Sequence, residues 1–305
     1  MKSRDVISVN LVFTLTVLVY LLASVAVSFF SEQIPFWLLL VISQASLLVV
    51  PAVYAIRSGK VRERTGIHKI SGGTVVLTVL LILCMEPVLT FLNALSQCFV
   101  DTPTTSMIID ASSTYPFPVM FLIVALMPAI CEEFVYRGVF FHTYKEEAVV
   151  PGAVLSGLLF GIMHGNLNQF VYAFFMGFAF SMTVYATGTL CSSMIMHLVV
   201  NGLSTILLYV IPLMNNPELT EMMTETGGQM TVSSVLKTYT FPAVIGLALS
   251  VYVYQAIAKR CGKWDDIRDA FRTKGKARAF RRLITLPLAG CILLMTGLMV
   301  LAEFT

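Results

Sequence analysis

Three stretches set polar side chains among apolar neighbours. The first is Glu132, Glu133 and Arg137, between Pro128-Ala129-Ile130-Cys131 and Gly138-Val139-Phe140-Phe141. The second is Phe160-Gly161-Ile162-Met163-His164, followed by Gly165-Asn166, which reads as a turn. The third is His197-Leu198-Val199-Val200-Asn201. A charge in hydrocarbon costs about 2.5–3.5 kcal/mol even on the lenient insertion scale, so such a concentration marks a function. Glu133 and Arg137 are four apart, share a helix face and can pair. Glu132 points about 100° away, on the face of Tyr136. One carboxylate is thus neutralised by arginine, while the other is left to bind a proton, a metal or a water. His197 and Asn201 again share one face.

This inventory suits hydrolysis by an activated water. Glu132 can take the water's proton as general base. His164 can hold the water, directly or through a metal such as zinc, in which case Glu132, His164 and His197 would be the ligands. His197 and Asn201 can stabilise the oxyanion. Glu133 and Arg137 fix the helix and its charge. Tyr136 and Phe160 read as packing residues, with Phe160 also placed to wall the site. No serine or cysteine has a partnered arrangement. The six cysteines show no metal spacing and read as small apolar thiols.

The elements that must position these groups are membrane helices. Of 305 residues, 57% are hydrophobic and 12% charged, and mean hydropathy is +0.84; soluble chains average about 25% charged. The fold class is all-α, a polytopic transmembrane bundle of about eight to nine spans. The candidates are Ser8–Phe30, Pro35–Ile56, Thr74–Cys98, Pro116–Phe141, Val149–His164, Leu167–Thr187, Leu190–Leu213, Val235–Ala258 and Leu283–Leu301, with Val149–His164 the shortest. We treat residues 1–305 as one integral-membrane domain. The motifs lie in 116–213, and 1–115 and 214–305 supply flanking helices. The N-terminal apolar run exceeds the roughly 7–15 residues of a signal core and reads as a retained span.

The basic residues are asymmetric. Lys2 and Arg4, Arg57 to Lys69, Lys145, and Lys259 to Arg282 account for 18 of the 20 lysines and arginines, all in segments that alternate onto one side. The opposite loops carry Glu32, Asp101, Asp110, Glu218, Glu221 and Glu225. The positive-inside rule then predicts a cytosolic N-terminus and an odd number of spans, with the cell membrane as location. Lys259–Arg282 reads either as an interfacial amphipathic helix, with Trp264, Ile267 and Phe271 at helical spacing, or as a solvated loop. Asn215–Val232 reads as an acidic external loop. Glu86-Pro87 places a further carboxylate at a kink in the third span, with a structural or a cavity-lining role.

One tension is geometric. At about 1.5 Å per residue, Glu132 lies roughly 15 Å and His197 roughly 10 Å from their inner helix ends, but His164 lies roughly 22 Å from Val149. The fifth helix must start above the inner surface, tilt or be re-entrant.

Glu132-Glu133-x-x-x-Arg137, Phe160-x-x-x-His164 and His197-x-x-x-Asn201 together resemble, in order, the three motifs of the CPBP intramembrane proteases. That family comprises the type II CAAX prenyl endopeptidases and the bacteriocin-processing or immunity (Abi) proteins. The resemblance covers Pro116 to Leu213. It implies a four-helix core with a polar cavity open toward the membrane or cytosol, a site formed by Glu132, His164, His197 and Asn201, and a protease often classed as a metalloprotease. The leading expectation is an endopeptidase cleaving a peptide or membrane-protein substrate near the cytosolic side of the bilayer, with zinc or another divalent metal as an option. Lipid is the expected surrounding partner, and nothing points to nucleic acid. A non-catalytic immunity or scaffold protein and a proton- or ion-coupled transporter are the alternatives.

Overall fold

The computed structural model describes residues 4–30, 33–59, 61–100, 103–214 and 231–303. The predicted acidic loop Asn215–Val232 falls almost wholly outside them. The described chain forms helices α1 (Arg4–Ser28), α2 (Phe36–Arg57), α3 (Val61–Thr65), α4 (Gly72–Gln97), α5 (Pro103–Thr114), α6 (Phe117–Glu147), α7 (Val149–Ile162), α8 (Leu167–Thr187), α9 (Leu190–Leu213), α10 (Val232–Arg260), α11 (Trp264–Arg272), α12 (Lys276–Leu283) and α13 (Leu286–Leu301). No strand occurs among the described residues.

Among the described residues, seven helices are long and apolar enough to cross a membrane: α1, α2, α4, α6, α8, α9 and α10. Large apolar side chains stand on the outer surface, such as Leu22, Phe241 and Leu293, as expected where acyl chains replace water. An eighth span exists if α12 and α13, bent 87° from each other, count as one. The nine-helix expectation is corrected at two places. The Val149 segment is a 14-residue helix, about 21 Å long at 1.5 Å per residue, shorter than the roughly 30 Å hydrocarbon core. The Leu283 segment is not one straight rod, because Ile284 and Thr285 leave helical geometry and α13 has only 16 residues. The segment Lys259–Arg282 is helical, as α11 and α12, with Ile267 and Leu283 buried against the bundle.

The elbow before α13 exposes backbone inside the protein, and the first helix satisfies it. Asn10 is fully buried and donates through Nδ2 to Leu283 O at 2.7 Å and to Thr285 Oγ1 at 3.1 Å. Its Oδ1 accepts from Tyr144 OH at 2.7 Å. Leaving such a carbonyl without a donor would cost about 1–3 kcal/mol.

α6 is the axis of the bundle, in contact with α2 and α9, and with α7 and α8. It is not uniformly α-helical: Phe121–Leu126 and Phe134–Phe141 are π-helical, on either side of Met127–Glu133. Such wide turns recur at functional sites because they re-aim side chains. Pro128 stands in the first turn of the central piece and has no N–H for the carbonyl four residues back, Val124 O.

The depth tension resolves in these elements. α6 runs on to Glu147 rather than stopping at Phe141, so Glu132 lies 15 residues from its end, about 22 Å at 1.5 Å per residue. That matches the reach of α7. The turn before α9, around Gly188, is itself covered by Gly66 and His68.

Candidate active site

Pro128, Asn201 and Val124 make the first connection. Asn201 of α9 donates through Nδ2 to Val124 O at 3.0 Å, the carbonyl that Pro128 cannot serve. The sequence assigned Asn201 to an oxyanion; one of its N–H groups is instead spent on α6, and its amide still lines the cavity. This bond fixes the register of α9 against α6 and brings His197, one turn earlier, level with Glu133.

Glu133 is wholly buried and gathers two donors on one oxygen. Its Oε1 accepts from Arg137 Nη1 at 2.9 Å and from His197 Nδ1 at 2.9 Å. The expected Glu133–Arg137 pair is present, with both side chains at 0% exposure. The bond from His197 was not foreseen, and it sets the tautomer: Nδ1 carries the hydrogen and Nε2 turns toward Glu132, 3.9 Å from Oε2. Arg137 is held on its flat faces by aromatic rings, with its guanidinium carbon 4.5 Å from the Phe160 ring centre and 5.2 Å from that of Phe180.

Phe160 does not line the cavity, as expected of a wall, but packs behind it. Its ring meets His164 edge-on at 4.8 Å and Tyr136 at 5.1 Å, and lies 6.0 Å from His197. Phe180 of α8 lies 5.8 Å from His197. The rings close this tightly because two glycines let α7 and α8 touch. A Cβ on Gly177 would stand 2.9 Å from Gly157 Cα and 3.1 Å from both Arg137 Nη2 and Phe160 Cδ1.

Glu132 faces the other way, into a cavity of about 620 Å³. Gln44 of α2 holds it, donating from Nε2 to Oε1 at 2.7 Å. Glutamine at that position was missed, although it is a polar side chain inside an apolar run, the signal that singled out Glu132. His164 stands in the turn between α7 and α8, beside Gly165 with φ +73°. Its Nδ1 lies 2.8 Å from Phe160 O and so carries the hydrogen, which leaves Nε2 as an acceptor. Glu132, His164, His197 and Asn201 all line this one cavity. Glu86 lines it as well and has no hydrogen-bond or ion-pair partner among the described residues. Asn93, Asn166, Asn168 and Gln169 form a polar shelf, tied together by Asn168 Nδ2 to Asn93 Oδ1 at 3.0 Å and Asn166 Nδ2 to Gln169 Oε1 at 2.9 Å.

The expected metal set fits in one respect and fails in another. Both imidazoles leave Nε2 open, and His197 is backed by a carboxylate in the manner of a metal-bound histidine. Yet among the described residues no three His, Cys, Asp or Glu side chains are grouped to hold a metal ion. All six cysteines are free thiols, five half-buried and Cys291 buried, and Cys131 does not line the cavity.

The cavity lies toward one end of the bundle. Its lining comes from the helix ends away from the basic segments: Phe36 at the start of α2, Asn93 late in α4, Leu208 late in α9, and Met107 and Ile108 of α5.

No curated protein and no solved structure matches the chain. Residues 114–203, less than a third of the chain but containing Glu132, His164, His197 and Asn201, match the model of a membrane-protease family, Type II CAAX prenyl endopeptidase Rce1-like.

Proposed function

We propose that this chain is an intramembrane endopeptidase in which Glu132 activates water. The observation that carries the reading is the convergence of Glu132, His164 and His197 on one cavity, with Glu132 unpaired by any arginine and anchored on one oxygen by Gln44. That anchor leaves Oε2 for the water. The open Nε2 of His164 accepts the water's other hydrogen, so the nucleophile's lone pair points at a carbonyl seated in the cavity. Glu132 takes the proton as the C–O bond forms, then returns it to the departing amine as the C–N bond breaks. The remaining N–H groups of Asn201 and Gln44, both lining the cavity, are donors available to the developing oxyanion. His197 is positioned by Glu133, which is itself neutralised by Arg137.

Among the described residues the donors are not assembled as a metal group, and the reaction runs through water and these side chains alone. Metal analysis of the purified protein, with cleavage assayed before and after chelation, tests that choice: activity that disappears with chelator and returns with zinc would reject it. A peptide or membrane-protein segment is the substrate class, its polar backbone set against the Asn93–Asn168 shelf and its apolar side chains against Leu40, Ile108 and Leu208. Glu132→Ala and His164→Ala are expected to abolish cleavage by protein reconstituted in lipid; turnover retained by either variant would refute the assignment.

A further inference from the structure

The bundle has two chemically distinct ends, and the cavity belongs to one of them. At the first end lie Arg57 closing α2, Lys145 in the last turn of α6, Lys259 and Arg260 closing α10, α11 with its mixed charges, and the basic helix α12. Gly66 and His68 cover the α8–α9 turn there. At the second end are Phe36, Asn93, Met107, Asn166 and Leu208, all lining the cavity. Glu303 lies there too, its Oε1 3.4 Å from Leu167 N at the start of α8, next to lining residues Asn166 and Asn168. Among the described residues no lysine or arginine lines the cavity, whereas two carboxylates do, Glu86 and Glu132.

Lysine- and arginine-rich ends of membrane helices stay in the cytosol. The orientation of the bundle therefore orients the cavity. We infer that the cavity opens toward the extracytoplasmic face, so that its occupant arrives from the outer half of the bilayer or from outside the cell.

Resting on the protease reading, this narrows the substrate to a polypeptide segment that has already crossed the membrane. The reaction that supplies it is then a translocation step, and the product is released on the far side from where the chain was made. The alternative, a cytosolic mouth, would put α11, α12 and nearly all of the chain's 20 basic residues outside the cell.

Single-cysteine variants of the full chain, made with the six native cysteines replaced, test the inference in intact cells. The probe is a membrane-impermeant maleimide. Met107→Cys places a thiol at an exposed lining position and Thr90→Cys one deeper in the same cavity. Lys274→Cys places one between α11 and α12. Both cavity thiols are expected to label in intact cells, and Lys274→Cys only after permeabilisation. The reverse order would overturn the inference, and so would labelling of all three from one side. Should Thr90→Cys fail to fold, Met107→Cys and Lys274→Cys still decide the orientation. Because labelling needs no turnover, the result stands whatever the chain cleaves, and a failure of the protease reading would be seen separately in the Glu132→Ala assay.

Discussion

Glu132 and Glu133 are adjacent in sequence and have opposite surroundings. Glu133 is sealed in, shares one oxygen between Arg137 and His197, and touches no open space. Glu132 is held on one oxygen by a neutral amide and turns the other to the cavity. The same functional group is structural in one position and reactive in the next. Its neighbours make the difference: a charged donor fixes a carboxylate as an anion, whereas a neutral donor orients it and leaves it able to exchange a proton.

Four substitutions separate the two roles. Glu132→Gln is expected to lower kcat by about 10²–10⁴-fold, the range for a lost general base, while leaving the melting temperature in detergent near that of the parent chain. Arg137→Ala should do the converse first: it strands Glu133 without its charge partner, a loss of about 3–5 kcal/mol for a broken buried pair, read as a drop in melting temperature. If Arg137→Ala melted like the parent, the sealed cluster would not be the structural half of the pair. Gly177→Ala presses a methyl against Gly157, Arg137 and Phe160, and overpacking of this kind costs about 1–3 kcal/mol. Its expected signature is a modest fall in melting temperature with an intermediate loss of cleavage, because the same rings hold His164 and His197. Gln44→Leu removes one hydrogen bond to a carboxylate, worth about 1.5–3 kcal/mol; the expected result is a roughly tenfold or greater fall in kcat/KM without loss of fold. Unchanged kinetics in that variant would show that Glu132 needs no anchor.

Much of this was legible in the chain, for a physical reason. Hydrocarbon makes every polar side chain conspicuous, so Glu132, Glu133, Arg137, His164, His197 and Asn201 announced themselves, and helical spacing paired Glu133 with Arg137. What escaped was pairing between distant elements. Gln44 and Glu132 are 88 positions apart, and no periodicity links them. The bond between His197 and Glu133 joins positions 64 apart, and face arithmetic on one helix cannot tell which of two adjacent carboxylates a second helix will bond. Phe180 and Gly177 looked like ordinary apolar packing, and only the crossing of α7 and α8 gives them a role. The break before α13 was hidden because apolar residues continue across it, although Thr285 and Pro287 were available as start signals.

The bridge from Asn10 to Leu283 O and Thr285 spans 273 and 275 positions. An amide near the beginning of the chain is thus the donor for a bend near its end. During synthesis that amide has to wait, already surrounded by lipid and neighbouring helices, until residues 283–285 have been made. The elbow between α12 and α13 can lock only when it docks back on α1, so this closure is a long-range event in assembly. Asn10→Leu should therefore slow or loosen that last docking while leaving the cavity, built from the middle of the chain, already formed.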